Sequence, residues 1–311
     1  MTKILEKVGA VELNLEFYSG VDHYSDGEIE NVLLEIVKNN ESNRYNRIIA
    51  DYKSWPILYH LSDIRTNIVS LFPITNDDKI LEIGAGCGAI TGALLQKSNN
   101  VTCIELSKRR SLINAHRNKN IPFEIIVGNF QHIYPNLTIK YDYITLIGVF
   151  EYAASYIGGK EPYKEFLQIV YNLLKPNGKL IIAIENRMGL KYFSGAREDH
   201  LGTYFSGIEN DYDCKGVRTF SKNEWNHLFD QLEDIQTTFY YPYPDYKFPL
   251  QIYTDNYLPK IGDLNYPILN LDGERTWLFD ENKVFNTFID NKVFPVFSNS
   301  FLIEVQRGEN G

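Results

Sequence analysis

Ile80-Leu81-Glu82-Ile83-Gly84-Ala85-Gly86-Cys87-Gly88 is an apolar strand that carries a carboxylate and breaks at once into a loop with glycine at every second position. Glycine reaches backbone angles that side-chain-bearing residues resist, and it leaves room for a ligand to approach the main chain. The next residues, Ala89 to Lys97, are apolar at helical spacing. The loop therefore opens a helix whose free N–H groups favour anions. Strand, glycine loop and helix make the first unit of a nucleotide-binding α/β sheet.

Two cofactor classes share this signal. Gly84, Gly86 and Ala89 satisfy the dinucleotide pattern G-x-G-x-x-G/A. Both classes want an acid at the end of the following strand, and Glu105 after Val101-Thr102-Cys103-Ile104 supplies it. A carboxylate there accepts hydrogen bonds from both ribose hydroxyls. Three further features separate NAD from S-adenosylmethionine. Glu82 adds negative charge, which suits a cofactor bearing an ammonium and a sulfonium better than a pyrophosphate. Leu173-Leu174-Lys175-Pro176-Asn177-Gly178-Lys179-Leu180-Ile181-Ile182-Ala183-Ile184 reads as a helix end, a proline-glycine turn and a buried strand. Phe297-Ser298-Asn299-Ser300-Phe301-Leu302-Ile303-Glu304-Val305 reads as a terminal strand suited to an antiparallel edge.

Taken in order, these segments resemble class I S-adenosylmethionine-dependent methyltransferases over roughly residues 55–240 and the last strand. The family pattern E/D-x-G-x-G-x-G is met by Glu82, Gly84, Gly86 and Gly88. The resemblance places the ribose acid at Glu105 beside Leu106. It places the adenine contact at Asn129, where many members have aspartate, beside Phe130. Tyr143-Ile144-Thr145-Leu146-Ile147 and Gly148-Val149-Phe150-Glu151-Tyr152 match the family's fourth strand and its post-strand loop. The implied fold is α/β: a doubly wound, seven-stranded, mostly parallel, Rossmann-like sheet with an antiparallel last strand, an N-terminal cap and substrate-side insertions. The implied cofactor is S-adenosylmethionine, bound by Glu82, Gly84, Ala85, Gly86, Gly88, Glu105, Leu106, Asn129, Phe130, Gly148 and Val149.

Length and composition agree. A chain of 311 residues, 44% of them apolar, buries a sizeable core. No stretch reaches the roughly 20 apolar residues of a membrane helix, so no membrane insertion is expected. The start, Met1-Thr2-Lys3-Ile4-Leu5-Glu6-Lys7, lacks the apolar run of a secretory signal. Cys87, Cys103 and Cys214 are scattered and lack metal spacing, which fits a reducing, cytoplasmic setting. Cys87 reads as a small loop residue. A net charge of −9 argues against bulk nucleic acid as a partner. The basic cluster Lys108-Arg109-Arg110 reads as a solvated helix face. A homodimer is compatible with the sequence, which does not fix the oligomeric state.

Along the chain, residues 1–70 form the expected strand/helix cap. Val11, Leu13, Leu15 and Phe17 alternate with polar residues, and Ser25-Asp26-Gly27-Glu28 starts a helix bearing Ile29, Val32, Leu33, Ile36 and Val37. A second helical stretch is expected from about Tyr59 to Leu71, with Tyr59 and His60 more suited to packing than to touching the cofactor. The core spans 71–240, with an insertion at about 186–216. A substrate-side insertion occupies 241–296, and 297–311 hold the last strand. Long irregular insertions in compact domains are often functional. Tyr240, Tyr241, Tyr243 and Tyr246 are spaced among prolines, as an aromatic wall for a sugar ring or as a loop packed on the core.

Methyl transfer needs in-line positioning of an acceptor and, for a hydroxyl, a group that takes its proton. His200, beside Glu198 and Asp199, is the leading catalytic candidate, with Glu198 or Asp199 orienting its ring. Glu151, just past the fourth strand, is a second base or a binder of a cationic acceptor. His132 ranks behind His200, while His116 and His227 read as helix-face residues. No Asp/Asp/Asn constellation is evident, so metal-independent chemistry is expected. Asn186-Arg187-Met188-Gly189-Leu190-Lys191-Tyr192-Phe193, Glu198-Asp199-His200 and Tyr241-Pro242-Tyr243-Pro244-Asp245-Tyr246 resemble a bacterial subgroup linked with glycosyltransferases and surface-polysaccharide assembly. That resemblance implies O-methylation of a sugar, glycan precursor or related small molecule. The alternatives are N-methylation of an amine, favoured if Glu151, Glu198, Asp199 and Glu209 converge without a basic partner, a non-catalytic cofactor-binding protein, and an NAD-dependent enzyme.

Overall fold

The computed structural model describes residues 4–22, 25–212, 216–266 and 275–309, so Cys214 lies outside the described residues. Two compact units are present: Met1–Leu146 with Leu173–Lys179, and Ile147–Asn172 with Leu180–Gly311.

The first unit holds β1 (Leu5–Val8), β2 (Val11–Phe17), β3 (Lys79–Ile83), β4 (Asn100–Glu105), β5 (Glu124–Gly128) and β6 (Tyr141–Ile147, its last residue opening the second unit). Their order is β1-β2-β5-β4-β3-β6. Every pair from β2 to β6 is parallel, and β1 and β2 form an antiparallel hairpin. Parallel neighbours need crossovers, and the helices Ala89–Leu95 and Lys108–Arg117 supply them. Parallel strands covered on both faces carry near-continuous apolar runs, as Ile125, Ile126 and Val127 do, all buried. Strand alternation at Val11, Leu13 and Leu15 is observed, and β2 extends the sheet beside β5. Gly128 makes that pairing close: a Cβ there would lie 2.5 Å from the Phe17 carbonyl oxygen.

Helix Ile29–Asn39 buries Leu33, Ile36 and Val37 on one stripe against Tyr45, Ile57, Leu61, Cys87 and Ile113. Each fully buried Leu or Ile in such a cluster contributes roughly 1.5–3 kcal/mol. The helical stretch expected from Tyr59 to Leu71 is instead broken. One helix, Trp55–Leu61, starts earlier with proline in its first turn and ends at Ser62, whose backbone is extended, before a 3₁₀ turn over Asp63–Thr66. His60 is a packed residue, buried with Nε2 3.0 Å from Asp26, and burial lowers its pKa. Arg110 departs from the solvated-face expectation. It is 8% exposed and pairs with Asp26 and Glu30, both at 2.7 Å.

The second unit contains the latter half of β7 (Leu174–Glu185), with β8 (Ile235–Tyr243), β9 (Gln251–Thr254) and β10 (Ser300–Arg307), in the order β7-β10-β8-β9. β10 is antiparallel to β8, from Leu302↔Tyr240 to Arg307↔Ile235, as the terminal apolar run suggests. β3–β8 and β10 are the seven expected strands, and β1, β2 and β9 add to them. No turn interrupts 176–178: β7 runs through them, with Asn177 at φ 61. Phe150, Phe166, Phe220 and Trp225 pack as an aromatic core, with Phe150 and Trp225 ring centres 4.7 Å apart.

The tyrosines at 241, 243 and 246 are buried, so they are core and not a wall open to a ligand. β8 continues to Tyr243, and each hydroxyl is satisfied within the unit. Tyr241 meets Asp255 and Lys222, Tyr243 meets the Tyr266 carbonyl, and Tyr246 meets Glu185. No helix among the described residues is long and apolar enough to cross a membrane.

Candidate functional site

The glycine loop leaves β3 with Gly84, Gly86 and Gly88 at φ 75, 52 and 79, angles that favour glycine at each alternate position. The backbone N–H groups of Gly84 and Ala85 both donate to the Ile104 carbonyl of β4. Glu105 then closes the loop: its carboxylate accepts from Gly86 N at 2.7 Å and from Ser107 N at 2.9 Å. Burial pushes the Glu105 carboxyl up, opposed by these backbone donors and by Arg110. A Cβ on Gly86 would meet no atom within 4 Å, whereas one on Gly88 would lie 2.3 Å from Asn114 Oδ1. Gly88 is required by the protein's own packing, while Gly86 leaves open room above the loop.

Glu82 is anchored from within. It accepts from the Thr91 hydroxyl at 2.6 Å and from the Cys103 thiol at 3.4 Å, and Asn114 Nδ2 donates to the Thr91 hydroxyl at 2.9 Å. Burial pushes its pKa up to about 7. Cys87 is buried and pushed up to about 12, which leaves it a thiol with no nucleophilic character. Leu106 is partly buried beside Glu105. The Asn129 side chain caps its own helical turn by accepting from Gln131 N at 3.0 Å, and Phe130 is buried against Tyr134. Thr91, Asn114 and Ser107 are loop supports that sequence reasoning missed.

In the second unit, Gly148 follows β6 at φ 68 and donates to the Ala183 carbonyl; Val149 behind it is buried. A Cβ on Gly148 would lie 2.9 Å from the Tyr246 hydroxyl. This unit also brings together Glu151, Glu185 and His200, whose ligand-capable atoms all lie within 4.8 Å of one another. His200 Nε2 is 3.6 Å from Glu185 Oε2, and its Nδ1 is 3.1 Å from the Tyr152 hydroxyl. Glu185 and Tyr152, not Glu198 or Asp199, therefore orient the ring. Glu198 accepts from the backbone N–H groups of His200 and Leu201 and so shapes the turn that carries His200. Asp199 pairs with Lys191 at 2.7 Å and with Lys247 at 2.5 Å, and Glu209 is exposed and apart. His132, His116 and His227 lie on separate helices.

Glu185 and Lys247 complete the cluster. Lys247 Nζ lies 2.9 Å from Glu185 Oε1, which also accepts from the Tyr246 hydroxyl. Burial alone would raise Glu185, but Lys247 and His200 outweigh it and hold the carboxyl well below its usual range. Burial and the neighbouring Glu185 push Glu151 up to about 8. Burial opposes charging of His200, yet Glu185, Glu151 and Glu198 raise it to about 9. Glu151 Oε2, Glu185 Oε2 and His200 Nε2 are buried without a hydrogen-bond partner among the described residues. Buried polar atoms without a hydrogen bond need a physical reason, and a catalytic role is one of them.

Residues 81–180 match a family model described as a methyltransferase domain. Ribosomal RNA small subunit methyltransferase A of Borrelia garinii subsp. bavariensis is 38% identical over 92 residues, 29% of this chain and 33% of that protein. Its namesake from a Hydrogenobaculum species is 25% identical over 153 residues, 46% of this chain and 54% of that one. The chain thus spans a third to about half the length of these curated relatives. Among solved structures, a chain from the complex between the Haloferax volcanii Trm112 methyltransferase activator and a methyltransferase shares the fold. Its TM-score is 0.51 at 13% identity, covering 92% of this chain and 100% of that one. Residues 81–180, in which Glu105 ties the glycine loop, thus carry a methyltransferase domain, and the cofactor such a domain implies is S-adenosylmethionine.

Proposed function

We propose that the whole chain transfers a methyl group from S-adenosylmethionine to a hydroxyl of a sugar, a glycan precursor or a related small molecule. The observation that carries this is the convergence of Glu151, Glu185 and His200, each with one buried polar atom that makes no hydrogen bond among the described residues. On this reading Glu82, Gly84, Ala85, Gly86, Gly88, Glu105, Leu106, Asn129, Phe130, Gly148 and Val149 serve the cofactor. The sulfonium is already a good electrophile, so holding the acceptor in line supplies much of the rate. A hydroxyl acceptor must also lose a proton. His200 Nε2 receives it in its unprotonated form, which, with a pKa raised to about 9, prevails at alkaline pH; Glu151, pushed up to about 8, is a hydrogen-bond partner of the acceptor, and Glu198 positions the His200 turn.

An amine acceptor would favour acids gathered without a basic partner, and here Lys247 and His200 stand among them. Ribosomal RNA enters through the relatives' names alone. A net charge of −9 gives little with which to neutralise a phosphate backbone.

Calorimetric titration of the purified protein with S-adenosylmethionine, S-adenosylhomocysteine and NAD, followed by a mass-spectrometric screen of saccharide, amine and RNA acceptors, tests the proposal. Binding of the two adenosyl ligands and methylation of a saccharide hydroxyl are expected. Methylation confined to amines or RNA would replace the acceptor assignment, and no transfer to any class would overturn catalysis.

A further inference from the structure

The same cluster has a property that methyl transfer to a hydroxyl does not itself require. Glu151 and Glu185 are each 1% exposed, and one ligand-capable atom from each and one from His200 lie within 4.8 Å of one another. The opposite end of two of these groups is already fixed. Glu185 Oε1 is held by Lys247 and Tyr246, and His200 Nδ1 meets the Tyr152 hydroxyl. Partners of this kind behind a ligand set its orientation and leave the other atom free to coordinate.

We infer that Glu151 Oε2, Glu185 Oε2 and His200 Nε2 form a binding site for a divalent first-row cation of the Mn²⁺ or Zn²⁺ type. Two carboxylate oxygens and one imidazole nitrogen are a donor set suited to such ions. Ligand bonds of about 2.0–2.2 Å place neighbouring donors roughly 3–3.6 Å apart. The observed 3.6 Å between Glu185 and His200, and the 4.8 Å limit across all three, need only small rotamer adjustments. Three protein ligands leave coordination positions open for an acceptor oxygen.

The inference rests on the proposed acceptor site but not on which acceptor is used. Loading would change His200 from proton acceptor to ligand. The test is calorimetric titration of the chelator-treated full chain with Mn²⁺ and, separately, Zn²⁺, with no cofactor or acceptor present. One saturable micromolar site per chain is expected for at least one ion. Glu151→Gln and His200→Ala should each weaken it at least tenfold while S-adenosylmethionine affinity is kept. A rise in unfolding temperature with the ion should appear in the wild type and be lost in Glu151→Gln, a near-isosteric change. Absence of saturable binding by both ions, or binding unchanged in both variants, would overturn the cation site. Neither result touches the hydroxyl-transfer reading, which stands or falls on product formation.

Discussion

The Glu105 carboxylate accepts a 2.7 Å hydrogen bond from the Gly86 backbone N–H, so the acid that ends β4 and the middle glycine of the loop after β3 are tied to each other. Glu105→Ala removes that tie as well as the proposed ribose acceptor. Charge-assisted hydrogen bonds are worth about 1.5–3 kcal/mol each, so S-adenosylmethionine affinity should fall about ten- to a hundredfold. Glu105→Gln keeps one acceptor oxygen and should lose less. Titration calorimetry checks both, and equal losses would mean that the loop tie contributes nothing.

Gly86 and Gly88 separate two reasons for a glycine. Gly86→Ala places a Cβ in open space at φ 52, a backbone cost of about 1–2 kcal/mol, and intrudes where the cofactor is proposed to approach. Gly88→Ala carries a similar backbone cost at φ 79 and also drives into Asn114, which Thr91 and Asn118 hold in place. Overpacking adds about 1–3 kcal/mol. Chemical denaturation should therefore show the larger loss for Gly88→Ala, and cofactor titration should show a clear loss for Gly86→Ala.

Burial raises Glu82 from 4.5 in the unfolded chain to about 7 in the folded one. Between those values the folded protein holds a proton that the unfolded chain has released, so this group's contribution to stability falls as pH rises through the window. The change amounts to about 3 kcal/mol at most. Glu82→Gln keeps an acceptor for Thr91 and removes the titration. The difference between wild-type and variant unfolding free energies should therefore drift across pH 4.5–7 in the variant's favour, and a flat difference would refute it.

The cofactor domain was legible because its chemistry is local. Strand, glycines and next-strand acid lie within 26 residues, from Ile80 to Glu105, and their hydrogen bonds follow from adjacency in the sheet. Arg110 misled because its partners, Asp26 and Glu30, lie 80 or more residues away. Of the two readings open for the tyrosines of 241–246, packing on the core is the one observed; the flanking prolines suggested a loop throughout, although β8 runs through Pro242 opposite Ile252 and ends at Tyr243. Glu185 had a signal that went unused: it ends the buried run Leu180–Ile184, much as Glu105 ends its own strand. A charge closing a fully apolar strand must find partners, and here these come from residues 200, 246 and 247.

Lys247 carries much of the charge compensation in that cluster, with Nζ close to both Glu185 and Asp199. Lys247→Met keeps the length of the side chain and removes the ammonium. Breaking a buried pair by deleting one partner typically costs about 3–5 kcal/mol. Asp199 keeps Lys191, so Glu185 bears most of the loss. Urea denaturation should show destabilisation of that order, partly relieved by a second change, Glu185→Gln. Additive effects in the double variant would show that the two groups do not compensate each other.

His200 and Glu198 are neighbours in sequence but differ in what they touch. The His200 ring faces Glu185 and Tyr152, whereas the Glu198 carboxylate accepts from backbone N–H groups of the turn beneath it. His200→Ala should therefore lower kcat by about 10²–10⁴, the usual contribution of a positioned proton-transfer group, and leave S-adenosylmethionine affinity unchanged. Glu198→Gln retains one acceptor oxygen for the turn, so its effect should be smaller and fall on both kcat and acceptor KM through a displaced ring. Steady-state kinetics with the identified acceptor, beside cofactor titration, separates the two. Normal turnover in His200→Ala would remove it from the chemistry, and a Glu198→Gln loss as large as that of His200→Ala would move Glu198 from positioning the ring to contacting the acceptor.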